Sequence, residues 1–124
     1  MSQSTASFER SFTCGASDLD AKQYYVVKQH TDGTMILAAA ATDKLVGVLQ
    51  NKPKVGEAAI VRIGGTTKVV SAGTISVGAW VTADSAGKVV ATTTGGDIVL
   101  GKYLGTAAAA AGDIIEVQIH LFVL

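Results

Sequence analysis

The sequence predicts an all-β fold, a small barrel or sandwich of short strands preceded by an extended N-terminal arm. Three observations predict it. Turn signals built on Gly, Asp, Asn and Ser arrive roughly every eight to twelve residues, the spacing of sandwiches and barrels. The segments between them are short and either alternate in hydropathy or are rich in β-branched and aromatic residues. Nowhere between strands is there the helical run of about ten residues that a βαβ enzyme needs.

A chain of 124 residues suits one domain, and one of that size hides roughly two thirds of its unfolded surface without help from metal or disulfide. Residues 1–14 are assigned to the arm and 15–124 to the β-domain. Ten basic and ten acidic side chains cancel, which removes the non-specific attraction that nucleic-acid and acidic-membrane binders use. Only 16% of residues are charged and 48% are apolar, so the surface is sparsely charged and partners are expected to cover some of it. The lone Cys14 excludes an intrachain disulfide and is read as a free thiol. Met1 to Phe12 lacks the apolar run of a signal peptide, and no stretch approaches the ~20 apolar residues of a membrane span. A soluble product of the cytoplasm is expected.

The elements follow in order. Met1 to Ser7 is polar, and Phe8 and Phe12 then bracket Glu9-Arg10-Ser11 as two large rings seeking burial. They dock either on the chain's own core, as a short first strand, or on another subunit. Cys14 to Asp18 is a turn-rich joint. Tyr24 to Lys28 is a strand, and Thr31-Asp32-Gly33-Thr34 is a hairpin turn, because Asp-Gly accepts positive φ. Met35 to Ala41 is read as strand, then loop.

Leu45 to Gln50 is a strand, and a turn around Pro53 leads to Glu57–Ile63. There Ala59, Val61 and Ile63 share one face and Ala58, Ile60 and Arg62 the other. Gly64-Gly65 turns the chain into Thr67–Ser71. Trp80–Ala83, the turn Asp84 to Gly87, the short strand Lys88–Thr92 and then Ile98–Leu104 complete the middle. Asp113 to Leu124 closes the chain. Ile115, Val117, Ile119, Leu121 and Val123 recur with period two against Glu116, Gln118 and His120, and Phe122 and Leu124 make the second face apolar at the end. This stretch is read as the central or closing strand of the domain and is expected to be needed for folding.

A faint internal repeat is present. Asp32-Gly33-Thr34, Leu45-Val46-Gly47-Val48 and Gly56-Glu57 are echoed by Ala86-Gly87-Lys88, Tyr103-Leu104-Gly105 and Gly112-Asp113. A duplicated β-unit predicts that the strands after Gly56-Glu57 and after Gly112-Asp113 are structurally equivalent. Composition bias among fourteen glycines gives the same echo without equivalence.

Catalytic chemistry finds little footing. His30, His120 and Cys14 lie in three different elements with none of the local pairs of a zinc site, so no metal is assigned. His120 is read as a strand-surface or interface histidine and His30 as solvent-facing. No serine has a Gly-x-Ser-x-Gly context, and the carboxylates sit at turns, where Asp is favoured for backbone reasons. Gly64-Gly65-Thr66 and Gly101-Lys102 lack the phosphate-loop spacing and are read as turn glycines. Tyr24-Tyr25 could stack bases, but two aromatics opening a strand are read as core plus rim, and no basic cluster interleaved with aromatics offers a single-strand platform. No catalytic residue and no cofactor is assigned.

Four stretches resemble the small phage head decoration, or capsid cement, proteins. They are Ser7-Phe8 through Asp18-Leu19 with Tyr24 to Lys28; Val46 to Pro53 followed by Gly56 to Ala59; Ala72 to Ile75 through Gly78, Val81-Thr82 and Ala86 to Lys88; and Leu100-Gly101 to Gly105 with Gly112 and the terminal strand. The resemblance implies a tulip-like, barrel or jelly-roll β-domain on the outer surface of an icosahedral capsid. There it stabilises contacts between capsomers. It implies the major capsid protein and the chain itself, as a homotrimer, as partners, with no nucleic acid and no membrane. Phe8, Phe12, Tyr24, Phe122 and Leu124 are the candidate contact residues. The competing reading is a non-enzymatic β-module of a phage tail or cell surface that binds protein or glycan.

Overall fold

The computed structural model describes residues 8–124; the polar lead 1–7 of the expected arm lies outside them. Ten strands follow one another: β1 (Phe8–Thr13), β2 (Val26–Gln29), β3 (Met35–Leu37), β4 (Leu45–Leu49), β5 (Ala58–Gly64), β6 (Thr66–Val70), β7 (Trp80–Ala83), β8 (Val89–Ala91), β9 (Ile98–Tyr103) and β10 (Ile114–Val123). They form two five-stranded antiparallel sheets, ordered β1-β5-β4-β2-β3 and β6-β10-β9-β7-β8. The architecture is sandwich-like. The barrel alternative is corrected, because no continuous ladder closes either sheet; one isolated parallel bridge brings its edges together, Cys14 to Met35 in the first and Ser71 to Val89 in the second.

The second sheet repeats the first strand for strand. The equivalence holds at the level of register: Leu49 faces Val61 as Tyr103 faces Val117, Val27 faces Gly47 as Val81 faces Gly101, and Gln29 faces Met35 as Ala83 faces Val89. Turn bonds repeat as well. Gly56 N–H donates to Cys14 O and Gly112 N–H to Ser71 O, both at 2.8 Å. β5 and β10 are therefore equivalent strands, as a duplicated unit requires. One register of the echo is corrected: the counterpart of Gly47 is Gly101, not Gly105. Gly101 is also not a turn residue but lies inside β9, where a side chain would run into the Gln118 carbonyl, just as one at Gly47 would run into that of Arg62.

Two hydrophobic clusters hold the halves. Cys14, Leu19, Val27, Met35, Leu49, Ala59 and Val61 fill the first sheet's own core. The second sheet's equivalents, among them Ile75, Val81, Val89, Tyr103, Ile115 and Val117, form a larger core together with Val26, Ala38, Leu45 and Val48 of the first half. Strand alternation explains this: Val26 and Val27 point to opposite faces of β2, so the first sheet buries one face on itself and the other on its sister.

Two expected faces differ. Ile63 is exposed, since the strand is already turning at Gly64-Gly65. β10 buries Ile115 and Val117, but beyond a register shift against β9 between Ile119 and Phe122 Leu121 and Val123 are exposed. The last residues thus add no side chain to either core. β10 is nonetheless central, flanked by β6 and β9. Cys14 is buried and free, and burial pushes its thiol pKa up, helped by Asp18, Glu57 and Asp20 against a backbone hydrogen bond at Leu19 that lowers it.

Candidate contact surface

A candidate contact surface lies where the two halves cease to match. β10 runs on through Val123, whereas its equivalent β5 stops at Gly64. His120 is the counterpart of Gly64, and the length beyond it carries Phe122 onto the outer face of the second sheet beside His120, where both meet Trp80 of β7. Trp80 and Phe122 pack edge to face with ring centroids 4.9 Å apart, His120 and Phe122 likewise at 5.3 Å, and Trp80 and His120 lie tilted at 6.1 Å. These are the spacings at which aromatic pairs attract beyond simple burial. Val99, paired with Phe122 across the ladder, is fully buried yet belongs to neither core cluster. Trp80 keeps 36% of its surface exposed, which is unusual for the chain's only tryptophan.

The five expected contact residues fall in different places. Phe122 joins the aromatic cluster. Leu124 is half-buried, its backbone tied to Gly96 and Asp97 by bonds of 2.8 and 2.9 Å. Tyr24 is half-buried against the shared core. Phe8 and Phe12 lie on β1, the edge strand, and part company: Phe8 is 61% exposed, while Phe12 packs on the first half's core with the Arg10 guanidinium 5.2 Å from its ring centre. The Glu9–Arg62 ion pair joins β1 to β5.

Sequence reasoning placed His120 on a surface or interface but missed Trp80. His120 and Phe122 share a face by simple alternation. Trp80 reaches them only through the β7-β9-β10 order, which no local pattern encodes.

Among the described residues no three His, Cys, Asp or Glu side chains converge as a metal site. His30 Nδ1 lies 3.3 Å from Asp32 Oδ1 on an exposed turn, and Asp32 is held below the usual carboxylate range by the Thr34 hydroxyl first and the Thr34 N–H second. That arrangement shapes a hairpin turn.

Comparison with known proteins agrees with this picture. A family model described as "Phage cement protein" matches residues 9–119. Among solved structures, the chain is similar to the N base of the head fiber gp8.5 in bacteriophage phi29. That likeness has a TM-score of 0.66 and 22% sequence identity, and covers 91% of this chain and 95% of that one. At that identity it shows the fold. No curated protein matches.

Proposed function

The chain belongs to the phage cement protein family, non-enzymatic structural proteins of the virion, and from that premise we propose that it binds the outer surface of an icosahedral capsid. There it stabilises contacts between capsomers, with the major capsid protein as its partner. The match over residues 9–119 carries this reading. The head location of the phi29 fiber base supports it, as does a surface poor in charge but bearing an exposed aromatic cluster. The balanced charge gives no pull toward nucleic acid or acidic lipid.

The protein acts as a homotrimer, made in the host cytoplasm before it joins the shell. Exposed sheet edges and the aromatic face are the features that a closed ring would cover. Contacts that are weak singly gain strength when several are engaged at once by a symmetric assembly. The N-terminal arm, residues 1–14, adds a further contact through Phe8.

Cosedimentation with matching empty capsids tests the function. Saturable binding at a fixed copy number per capsid is the expected result. Chain that stays in the supernatant with intact, expanded capsids overturns it.

A further inference from the structure

We propose that the groove between β10 and the loop 105–112 takes an Asn or Gln side chain of the capsid protein, held by its carboxamide. That the partner is the capsid protein rests on the function proposed above; the carboxamide rests on the internal repeat.

In the first half the equivalent position is filled from within the chain. Asn51 Nδ2 donates to Ala58 O at 2.8 Å, and Asn51 Oδ1 accepts from Ile60 N–H at 3.0 Å. One side-chain amide thus satisfies two backbone groups of β5. Just before it, Gln50 N–H donates to Ile60 O at 2.8 Å. The second half repeats that bond, from Leu104 N–H to Glu116 O at 3.0 Å. Ile114 and Glu116 are therefore the counterparts of Ala58 and Ile60, and Gly105 is the counterpart of Asn51. Glycine has no amide to offer. A Cβ at Gly105 would run into the Tyr103 hydroxyl, which is anchored on Ala107 O at 2.7 Å, so the chain cannot fill the position from residue 105.

The two backbone groups are still there. Ser71 N–H donates to Asp113 O, so by antiparallel alternation Ile114 and Glu116 turn their N–H and C=O away from β6 and toward the groove. Among the described residues neither Ile114 O nor Glu116 N–H has a protein partner. Both residues are exposed, and they line the groove together with Leu104, Ala108 and Asp113.

This pair of groups selects its ligand. An acceptor and a donor two residues apart call for a group that carries a donor and an acceptor side by side. A carboxamide has both, whereas an ammonium has no acceptor and an ionised carboxylate has no donor. Asp113 and Glu116 also bring negative charge to the groove, which repels a carboxylate and not a neutral amide. A partner strand laid along β10 would run into Leu104, which already holds Glu116 O; a side chain entering end-on needs only the one gap. Leu104 and Ile114, 44% and 58% exposed, offer apolar surface to the methylene stem of that side chain.

The test is amide NMR on the isotope-labelled full chain, with propionamide as the probe and propionate as a control of the same size. Propionamide is expected to shift the Glu116 amide saturably at millimolar concentration and to leave the Ile60 amide in place, and propionate to shift neither. No saturable response at Glu116, or an equal response to both probes, overturns the proposal. Ala108→Trp blocks the groove at an exposed residue that lines it. It should melt like wild type, lose the propionamide response and cosediment with capsids about tenfold more weakly. Saturating propionamide should weaken the cosedimentation of wild type as well, a measurement that needs no variant. If wild type binds propionamide but never binds capsids, the proposed function fails and the carboxamide site stands. If wild type binds capsids equally well with propionamide present, or folded Ala108→Trp binds them like wild type, the groove is no capsid contact, and this proposal fails while the proposed function stands.

Discussion

Tyr24 adopts a backbone φ of 70° at the position where its structural counterpart, Gly78, adopts 79°. Both N–H groups bond the strand that follows in their own half, Tyr24 to Leu49 O at 2.7 Å and Gly78 to Tyr103 O at 3.2 Å. The repeated unit thus demands a left-handed residue just before β2 and β7. The second half meets the demand with glycine, and the first meets it with a tyrosine whose ring packs on the shared core. Strain at Tyr24 is offset by burial.

This relationship gives the first prediction. Gly78→Ala should cost about 1 kcal/mol, because an added Cβ meets only the far end of Lys102 and the cost is conformational. Gly73→Ala is the control, since that glycine has open space and no positive φ; it should be neutral or slightly stabilising. Urea denaturation of both variants checks the pair, and equal effects would remove the backbone explanation.

Gly101→Ala should be far more costly, about 3 kcal/mol or more. The added methyl would drive into the Gln118 carbonyl and the Val117 side chain, between two strands with no room to part. Gly47→Ala should behave alike against Arg62 and Val61. Urea midpoints near that of Gly73→Ala would show that the strands separate easily.

Acid should expose the contribution of Asp43. Burial alone would raise its carboxyl pKa, but the Lys28 ammonium and the Ala39 N–H outweigh burial and hold it below the usual 3.8. A depressed folded pKa contributes stability above the unfolded value, and that contribution is lost as pH falls through the folded one. Wild type should therefore exceed Asp43→Asn by about 1 kcal/mol near neutral pH, and the gap should shrink below about pH 4. Asp32, also held low, titrates in both proteins and cancels. Denaturant midpoints at neutral pH and in acid measure it; a gap constant with pH would mean the carboxylate charge contributes nothing.

The strands were largely legible because each carries its own alternation or β-branched run and is closed by a turn residue; Trp80–Ala83 is read with its observed ends. The repeat was legible where glycines are forced by positive φ, at Gly33 with Gly87 and Gly56 with Gly112. It was misread at Gly101, where glycine is forced by close approach of a neighbouring strand, a cause that leaves no local mark. The exposed end of β10 was hidden for a similar reason. Period-two alternation predicts a buried Leu121 and Val123, but β10 there runs past the length of its counterpart β5, and both are exposed. Phe122 was picked out by its size, but its partner Trp80 is remote in sequence and is brought to it by topology alone.

Phe8 and Phe12 make the last prediction, because the same strand gives them different surroundings. Phe12 packs on the core of the first half, so Phe12→Ala should lower stability by about 2 kcal/mol, less than the ~3–5 typical of a fully buried ring. Phe8 is 61% exposed and rests on Gly64, so Phe8→Ala should cost well under 1 kcal/mol. A large ring kept outward on an edge strand gains little from its own fold, and its value lies in a contact made elsewhere. Phe8→Ala should therefore melt like wild type and cosediment less well with capsids. Thermal melting and capsid cosedimentation on the same sample decide the matter. A lowered melt with undiminished binding by the folded fraction would place Phe8 in the chain's own stability and remove it from the capsid contact.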